Sequence, residues 1–517
     1  MRPPYNEGIV HSSDTSVQRG PGTGRWILSA TILASSMAFI DSTVVNVALA
    51  AIQAGFHATV VDVQWVVESY GLFLGALILV GGSLGDVFGR RRVFVVGVAI
   101  FALASLGCGL AVNLHQLILV RSLQGVGAAL LVPGSLAIIS TSFDVKSRGQ
   151  AIGTWSGFTA ITTAIGPVLG GWLVEHASWR WAFFINLPLA AAVIIISLWR
   201  VPESRSSTAG SVDWLGAAVA TVGLGGVVNG FIESVNLGWQ SPLVLGSLVV
   251  GFACLIAFGF IEARVPSPMV PLRLFESRSF SGANLLTLFL YAGVGIFFFL
   301  FPLNLIQVQK YSATAAGAAA LPLILLMFFL SRWSGGLVPR YGARAPLTVG
   351  PCIAALGFGL FALPSVAPDY WTSFFPAIVV LGLGMSITVA PLTTVVMTSA
   401  DQDRVGAASG INNAVARVAG VLAIAVLGIV MVYAFSSRLN RYLAHLSLPP
   451  GILQELRAGE IKLAGLQVPA GISPGIESAI KRSIAEAFVF GFRIVMMICA
   501  GFSVTSAVVA RFMIRTR

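Results

Sequence analysis

The sequence predicts an all-α integral membrane protein of fourteen spans, two six-helix bundles plus two inserted transmembrane helices, with both termini cytoplasmic. Three observations carry that prediction. The 517 residues are 56% hydrophobic and only 10% charged, with a mean hydropathy of +0.89, far outside the range of a soluble domain. Fourteen apolar runs each approach the length of about 20 residues that crosses a bilayer core, where a helix satisfies its own backbone. One short Gly- and Arg-rich stretch recurs at matching places in the two halves, which marks an internal repeat.

The runs cover 26–50, 65–85, 93–112, 115–140, 150–174, 180–199, 213–232, 243–262, 281–303, 315–338, 346–365, 372–395, 405–433 and 486–512. Orientation follows from the arginines and lysines of the short loops. One side carries Arg90-Arg91-Arg92, Lys146, Arg148, Arg200, Arg205, Arg264, Arg273, Arg278, Arg340, Arg344, Arg404 and the tail Arg511, Arg515 and Arg517; Lys310 is the main exception on the other. The net charge of +11 is therefore a topological signal, and no nucleic-acid partner is expected. The predicted organisation is a cytoplasmic tail at 1–25, a first bundle at 26–200, two linker spans at 201–270 and a second bundle at 271–517. The segment 436–485 is read as a long extracytoplasmic loop, punctuated at Pro449-Pro450-Gly451 and Pro474-Gly475 and partly helical on the membrane surface.

The repeat lays Gly82-Ser83-Leu84-Gly85-Asp86-Val87-Phe88-Gly89-Arg90-Arg91 on Gly335-Gly336-Leu337-Val338-Pro339-Arg340-Tyr341-Gly342-Ala343-Arg344. In two-bundle transporters of this kind the substrate site lies between the halves near the midplane.

Ionisable groups inside the spans are costly and mark functional sites. Asp41 stands in the first run within Asp41-Ser42-Thr43-Val44-Val45-Asn46. At about 1.5 Å per residue it lies roughly 24 Å beyond Arg25, Glu68 roughly 27 Å before Asp86, and Arg121 roughly 28 Å before Ser140, one layer in the outer half. Burial disfavours an ionised carboxylate and a guanidinium favours it, a balance that permits proton exchange near neutral pH. Asp41, Glu68 and Arg121 are therefore the candidates for proton coupling; the bland alternative for Asp41 and Arg121 is a fixed pair that joins helices.

The second half supplies Arg332, Arg417 and Arg493, with Asn412 and Asn413. Asn46, Gln124, Asn412, Asn413 and Arg417 are candidates to line a substrate cavity. Phe297, Phe298, Phe299, Phe328, Phe329 and Trp333 either line that cavity for flat apolar compounds or pack the helices. Gly166, Gly170 and Gly171 allow close helix approach and Pro167 removes a backbone donor, so the fifth span should be kinked and tightly packed.

Several classes are disfavoured. The four cysteines, Cys108, Cys254, Cys352 and Cys499, sit in apolar runs without metal-ligand spacing, and the five histidines are scattered through the tail and outer loops. No metal is expected. No nucleotide-binding Gly-Lys-Ser/Thr loop is present, against an ATP-driven pump. A passive channel fits poorly with paired bundles and asymmetric charge.

These residues resemble the major facilitator superfamily and, within it, the fourteen-span drug:proton antiporters. Gly82 to Arg92 looks like the loop motif between spans two and three, and Leu117 to Gly127, with Arg121, Gln124 and Gly125, like the fourth-span motif carrying a basic residue. Gly166-Pro167-Val168-Leu169-Gly170-Gly171 resembles the antiporter motif of span five, and Asp41 to Leu49 the first-span motif of the fourteen-span branch. Ser178 to Pro188 and Asp213-Trp214-Leu215-Gly216 are similar to strings of that branch. Thr162, Ala50 and Pro339 depart from the usual patterns.

The resemblance implies a gate at Gly82, Asp86, Gly89, Arg90 and Arg91, with Asp86 docking on a helix N-terminus near Val405-Gly406-Ala407. It assigns Gly166, Pro167, Gly170 and Gly171 to preventing leakage and setting antiport direction. The expected function is a proton-coupled antiporter that exports small amphipathic compounds or drugs across a bacterial cytoplasmic membrane. It needs no cofactor, and the proton gradient is its energy source. The alternative is an exporter or importer of one specific metabolite, for which the second-half arginines would suit an anion. The expected partners are a small-molecule substrate, protons and the lipid bilayer; the expected state is a monomer, and the residues name no periplasmic adaptor.

Overall fold

The computed structural model describes residues 23–205, 212–400, 405–446, 448–469 and 472–515. Residues 1–22 of the predicted tail, Arg404 and Arg517 lie outside the described residues, as do the side chains of Lys146, Arg148 and Arg332. Each of the fourteen predicted runs falls on a helix. The first six are α1 (Thr23–Phe56), α2 (Val60–Phe88), α3 (Arg90–Leu110), α4 (Leu114–Ser142), α5 (Val145–His176) and α6 (Trp181–Arg200, interrupted at Ile185). Two more follow, α7 (Trp214–Leu237) and α8 (Pro242–Glu262). The last six are α9 (Arg278–Leu303), α10 (Ala313–Ala319 continuing as Leu321–Gly335), α11 (Arg344–Leu360), α12 (Phe375–Thr398), α13 (Val405–Leu443) and α14 (Pro474–Met513). Thirteen are long and apolar enough to cross a membrane; α11, at 17 residues, is the shorter one and reaches about 25 Å.

Local sequence sets the helix starts. Thr59 and Asp62 form a capping box on α2, each side chain taking the other residue's backbone N–H. Asn113 caps α4 by accepting from Gln116 N at 2.8 Å, and Asp213 caps α7 by accepting from Gly216 N at 2.7 Å. The Asp213-Trp214-Leu215-Gly216 string thus has a structural task at the head of α7.

In the first half α4 lies on α2 and α3, and α1 on α5 and α6; in the second, α11 lies on α12 and α14, α9 on α13 and α14, and α10 on α12. The α2, α3 and α4 backbones touch through glycines. A Cβ on Gly81 would lie 1.9 Å from Ala129 O, and one on Gly127 2.6 Å from Phe101 N. Close approach of this kind is how membrane helices gain contact without a hydrophobic drive. Gly81→Ala is therefore expected to lower stability by about 1–3 kcal/mol or more, as overpacking does. Thermal unfolding in detergent should show the lower midpoint, and an unchanged one would contradict this packing.

The repeated stretch has a shared backbone as well as shared residues. Gly89 and Gly342, at the same place in each copy, hold φ of +108° and +71°, a region open to glycine. The acid is present only in the first copy, where Asp86 pairs with Arg90; in the second, Arg344 donates to Ile514 O.

The helices of the outer segment run further than predicted, and the loop is correspondingly shorter. α13 continues to Leu443 and α14 begins at Pro474, with Leu439, Leu443 and Ile480 extending their buried faces. Between them a helix, Pro450–Ala458, and a tight turn, Glu460–Gly465, dock on the protein itself, burying Leu456 and Leu463. Gln53 donates to Lys462 O at 3.1 Å and accepts from Gln307 Nε2 at 2.7 Å, so this segment bridges α1 and the turn after α9.

The halves meet along two seams. On one, α2 lies along α13: Gln64 donates to Ile424 O, and a Cβ on Gly71 would meet Val421. On the other, the outer end of α5 abuts the start of α10, where a Cβ on Gly317 would lie 2.0 Å from Pro167 O and one on Gly171 2.3 Å from Ala313 O. A space of about 20 Å³ lies there between Thr43, Asn46, Pro167, Phe298 and Gly317. Above it opens an outer vestibule of about 320 Å³ roofed by Lys462 and Gln467. Toward the cytoplasmic end α5 instead exposes Thr154, Ser156 and Phe158, and a Cβ on Gly153 or Gly157 would meet nothing. At the level of Pro167 and Gly171 α5 is closed on α10, while its stretch 153–158, held to α1 by the Trp155–Ser35 hydrogen bond, is more exposed.

Candidate functional site

The buried centre of the first half is built around Asp41, which is 0% exposed. Arg121 Nη1 donates to Asp41 Oδ2 at 2.5 Å, and Gln124 Nε2 donates to Asp41 Oδ1 at 2.8 Å. Asn186 Nδ2, from α6, reaches the same Oδ1 at 3.3 Å. Ser105 Oγ, from α3, accepts from Gln124 at 2.8 Å and from Asn186 at 3.2 Å. Arg121 also donates to Gln124 Oε1 and, through Nε, to Val66 O of α2. Its guanidinium lies 4.3 Å from the Tyr70 ring centroid. Five helices are thereby joined at one ion pair.

Each part has a local cause. Arg121 and Gln124 are three apart on α4 and so share a face. Gly125 lets that face approach α2, since a Cβ there would sit 2.5 Å from Tyr70 O. Beside Asp41, the Ser42 and Thr43 hydroxyls donate back to Phe39 O, so these two polar side chains are satisfied within α1. Stripping both ions of water costs several kcal/mol each, and the surrounding hydrogen bonds offset that cost.

The predicted proton-coupling group divides. Asp41 and Arg121 meet, whereas Glu68, also 0% exposed, touches neither, and both its carboxylate oxygens lack a hydrogen-bond partner. Glu68 shares a face with Gln64, Gly71 and Gly75, the α2 residues that pack on α13, so it belongs to the seam between the halves. Height along a helix was correctly matched; the direction each helix faces was not available from spacing.

The predicted gating residues lie together. Arg90 donates to Asp86 Oδ1 at 2.7 Å, and Gly82 stands near Pro133. At this end of the bundle Glu203 sits on the N-terminus of α3, accepting from the backbone N–H of Arg91 at 3.0 Å and Arg92 at 3.2 Å. Glu203 was not singled out from the sequence, where only the basic residues around it drew notice. Val405-Gly406-Ala407, the predicted dock for Asp86, opens α13, and among the described residues the hydrogen-bond partner of Asp86 is Arg90.

Gly166 and Gly170 face α1, where a Cβ would meet Thr43 Oγ1 at 2.1 Å and Val44 Cγ1 at 2.8 Å, while Pro167 and Gly171 face α10. Asn46 borders the small space under the outer seal. Asn412 donates to Asn284 and Thr287 within the second half, and exposed Asn413 donates to Ser409 O. Arg493 donates to Leu363 O and Pro364 O, and Arg417 lies 5.8 Å from the Phe39 ring centroid. Phe297 and Phe299 are core residues, Phe297 stacking on Phe301, whereas Phe329 and Trp333 face outward.

Sequence reasoning gave no role to Ser105 or Tyr70. Asn186 carried a signal, an amide at the head of an apolar run, inside a string quoted for another reason.

A family model described as Major Facilitator Superfamily matches residues 31–424. The chain belongs to the Major Facilitator Superfamily. It is 34% identical over 425 residues to the multidrug resistance protein Stp of Mycobacterium tuberculosis, covering 80% of this chain and 77% of that one. It is 31% identical over 510 residues to the tetracenomycin C resistance and export protein of Streptomyces glaucescens, covering 98% and 94%. Among solved structures, a bacterial homolog of the human lysosomal transporter Spinster, inward-facing and unoccupied, superposes with a TM-score of 0.64 at 20% identity. That superposition covers 95% of this chain and 98% of the other, and it shows the shared fold. This Major Facilitator Superfamily member is a multi-pass transporter of a bacterial cytoplasmic membrane and not an enzyme.

Proposed function

We propose that this transporter is a proton-coupled antiporter that exports small amphipathic compounds, with Asp41, Glu68 and Arg121 as the coupling groups. The observation that carries the reading is the fully buried Asp41–Arg121 pair tying five helices together beneath a closed outer seal. The kinship with proteins named for tetracenomycin C, puromycin and methylenomycin A resistance supports the direction and the substrate class. Protonation of Asp41 leaves Arg121 an uncompensated cation and loosens the junction of α1, α4 and α6; proton loss to the cytoplasm restores it. Glu68 places a second proton-binding group on the α2–α13 seam, which must rearrange when the halves rock.

The test is uptake into everted vesicles under an imposed pH gradient, with amphipathic dyes of both charges. Accumulation against a concentration gradient, collapsed by a protonophore, is the expected result; only downhill equilibration of every dye would overturn the reading. A second measurement isolates Glu68. Glu68→Gln removes a buried, unpartnered acid, so its unfolding midpoint should hold or rise. Gradient-driven uptake should nevertheless fall by about tenfold or more, since loss of one general proton carrier costs 10²–10⁴ in enzymes. Unchanged uptake would remove Glu68 from the coupling group.

A further inference from the structure

We propose that Arg417 is the anchor for an acidic group on the transported compound, and that the site selects planar aromatic molecules bearing a carboxylate or phenolate. This deepens the export reading and rests on it for the direction of transport.

Arg417 stands twelve residues into α13, roughly 18 Å from its cytoplasmic start and so near the middle of a hydrocarbon layer about 30 Å thick. Its helix shows three faces. Gly410 lies against Leu79, Arg417 Cβ lies 3.4 Å from the Cβ position of Gly75, and Val421 lies against Gly71, so one face meets α2. Asn412 bonds to Asn284 and Thr287, and Gly420 lies against Gly295, so another meets α9. Between them runs the strip Asn413 and Arg417, one helical turn apart. Its inner end looks at α1, where Phe39 lies under the guanidinium, and its cytoplasmic end is open, since Asn413 is exposed.

A cation at this depth requires a partner. Arg121 has Asp41, and Arg493 has two backbone carbonyls. Among the described residues Arg417 enters no salt bridge; Asp41 is engaged elsewhere, and Glu68 has no partner at all. What surrounds Arg417 is suited to a ligand. The Phe39 ring offers an apolar face, and α2 brings Tyr70 into the same region, its neighbour Gly71 lying against Val421, one helical turn from Arg417. The Tyr70 hydroxyl is buried and without a hydrogen-bond partner, although its ring supports Arg121. A guanidinium presents a planar fork of donors that matches a carboxylate, and an adjacent phenol supplies one donor more. An aromatic acid bound here would pair with Arg417, accept from Tyr70 and lay its rings on Phe39. It would also touch the residue on which Arg121 rests, which brings substrate and proton sites into contact through one side chain.

The test uses the full-length protein in lipid nanodiscs and two dyes built on one xanthene frame, anionic fluorescein and cationic tetramethylrhodamine methyl ester, with binding read by anisotropy. Arg417→Gln should weaken fluorescein by roughly tenfold or more, as loss of a charge-assisted bidentate pair does. Arg417→Lys should recover part of that loss, and Tyr70→Phe should weaken fluorescein severalfold. The cationic dye should be unaffected or bind more tightly in Arg417→Gln. Should Arg417→Gln fail to fold, the Lys and Phe variants carry the comparison. Absence of fluorescein binding to the wild-type protein, or equal binding by folded Arg417→Gln, would overturn the proposal. Gradient-driven uptake of the cationic dye without fluorescein binding sinks this site and leaves antiport standing. Arg417-dependent fluorescein binding without gradient-driven transport of either dye leaves the site standing and sinks antiport.

Discussion

Replacing Asp41 by Asn should abolish gradient-driven uptake into everted vesicles while exchange of labelled for unlabelled substrate continues. The amide is the same size and keeps an oxygen for Gln124 and Asn186, so the junction of α1, α4 and α6 stays assembled, but it neither binds nor releases a proton. Arg121 is left as a buried cation without its counter-charge. Removing one partner of a buried pair costs about 3–5 kcal/mol, and the retained hydrogen bonds place this variant at the lower end. A lower unfolding midpoint is thus expected alongside the transport defect, and the two effects need separating. Combining Asp41→Asn with Arg121→Gln removes both charges; stability should largely return while uphill transport stays lost, a non-additivity that a double-mutant cycle reads directly. Uphill transport at the wild-type rate in Asp41→Asn would rule the carboxylate out as the coupling group.

Gly317→Ala should stop the cycle at a different point. The added methyl carbon would lie 2.0 Å from Pro167 O, backbone against backbone, where no side chain can swing aside. The outer end of α5 then cannot seat on α10, and the form closed toward the outside is lost. Within a helix, Gly→Ala by itself stabilises by about 1 kcal/mol, so a drop in transport of roughly tenfold or more with undiminished stability would locate the fault in the seam and not in the fold. A reporter is available: Asn46 borders the small space beneath the seal, and Asn46→Cys should label from the outside far faster with Gly317→Ala than alone. Wild-type transport and unchanged labelling in Gly317→Ala would contradict the seal as described. Gly171, whose Cβ position is 2.3 Å from Ala313 O, gives an independent repetition.

The apolar runs were legible because hydrocarbon leaves little choice: a span must be long, apolar and helical. Asp41 and Arg121 were legible for the same reason, since a charge at that depth stands out in the sequence and its height follows from residue count. Glu68 shows where the method stops, because counting residues gives height and leaves open which neighbour a helix face meets. Ser105 and Tyr70 were hidden by being ordinary; a serine or tyrosine in a span draws no attention until Gln124 or Arg121 is seen resting on it. The glycines of α5 were read as close contacts, but nothing in their spacing tells that two face α1 and one faces the other half. The outer segment was misjudged at its edges because α13 and α14 continue beyond the apolar runs, held by contacts to one another and to the docked turn.

The inserted pair makes the molecule lopsided. α7 packs on both α2 and α13, along the very line where those helices meet, and α8 packs on α7 with its far side carrying Val249, Ile256 and Phe260 outward. One seam therefore has three helices and the other has two. Any rotation that parts α2 from α13 must also peel α7 from one of them, whereas α5 leaves α10 by giving up a few glycine contacts. The joint works like a book, bound along α7 and free to open at the α5 edge.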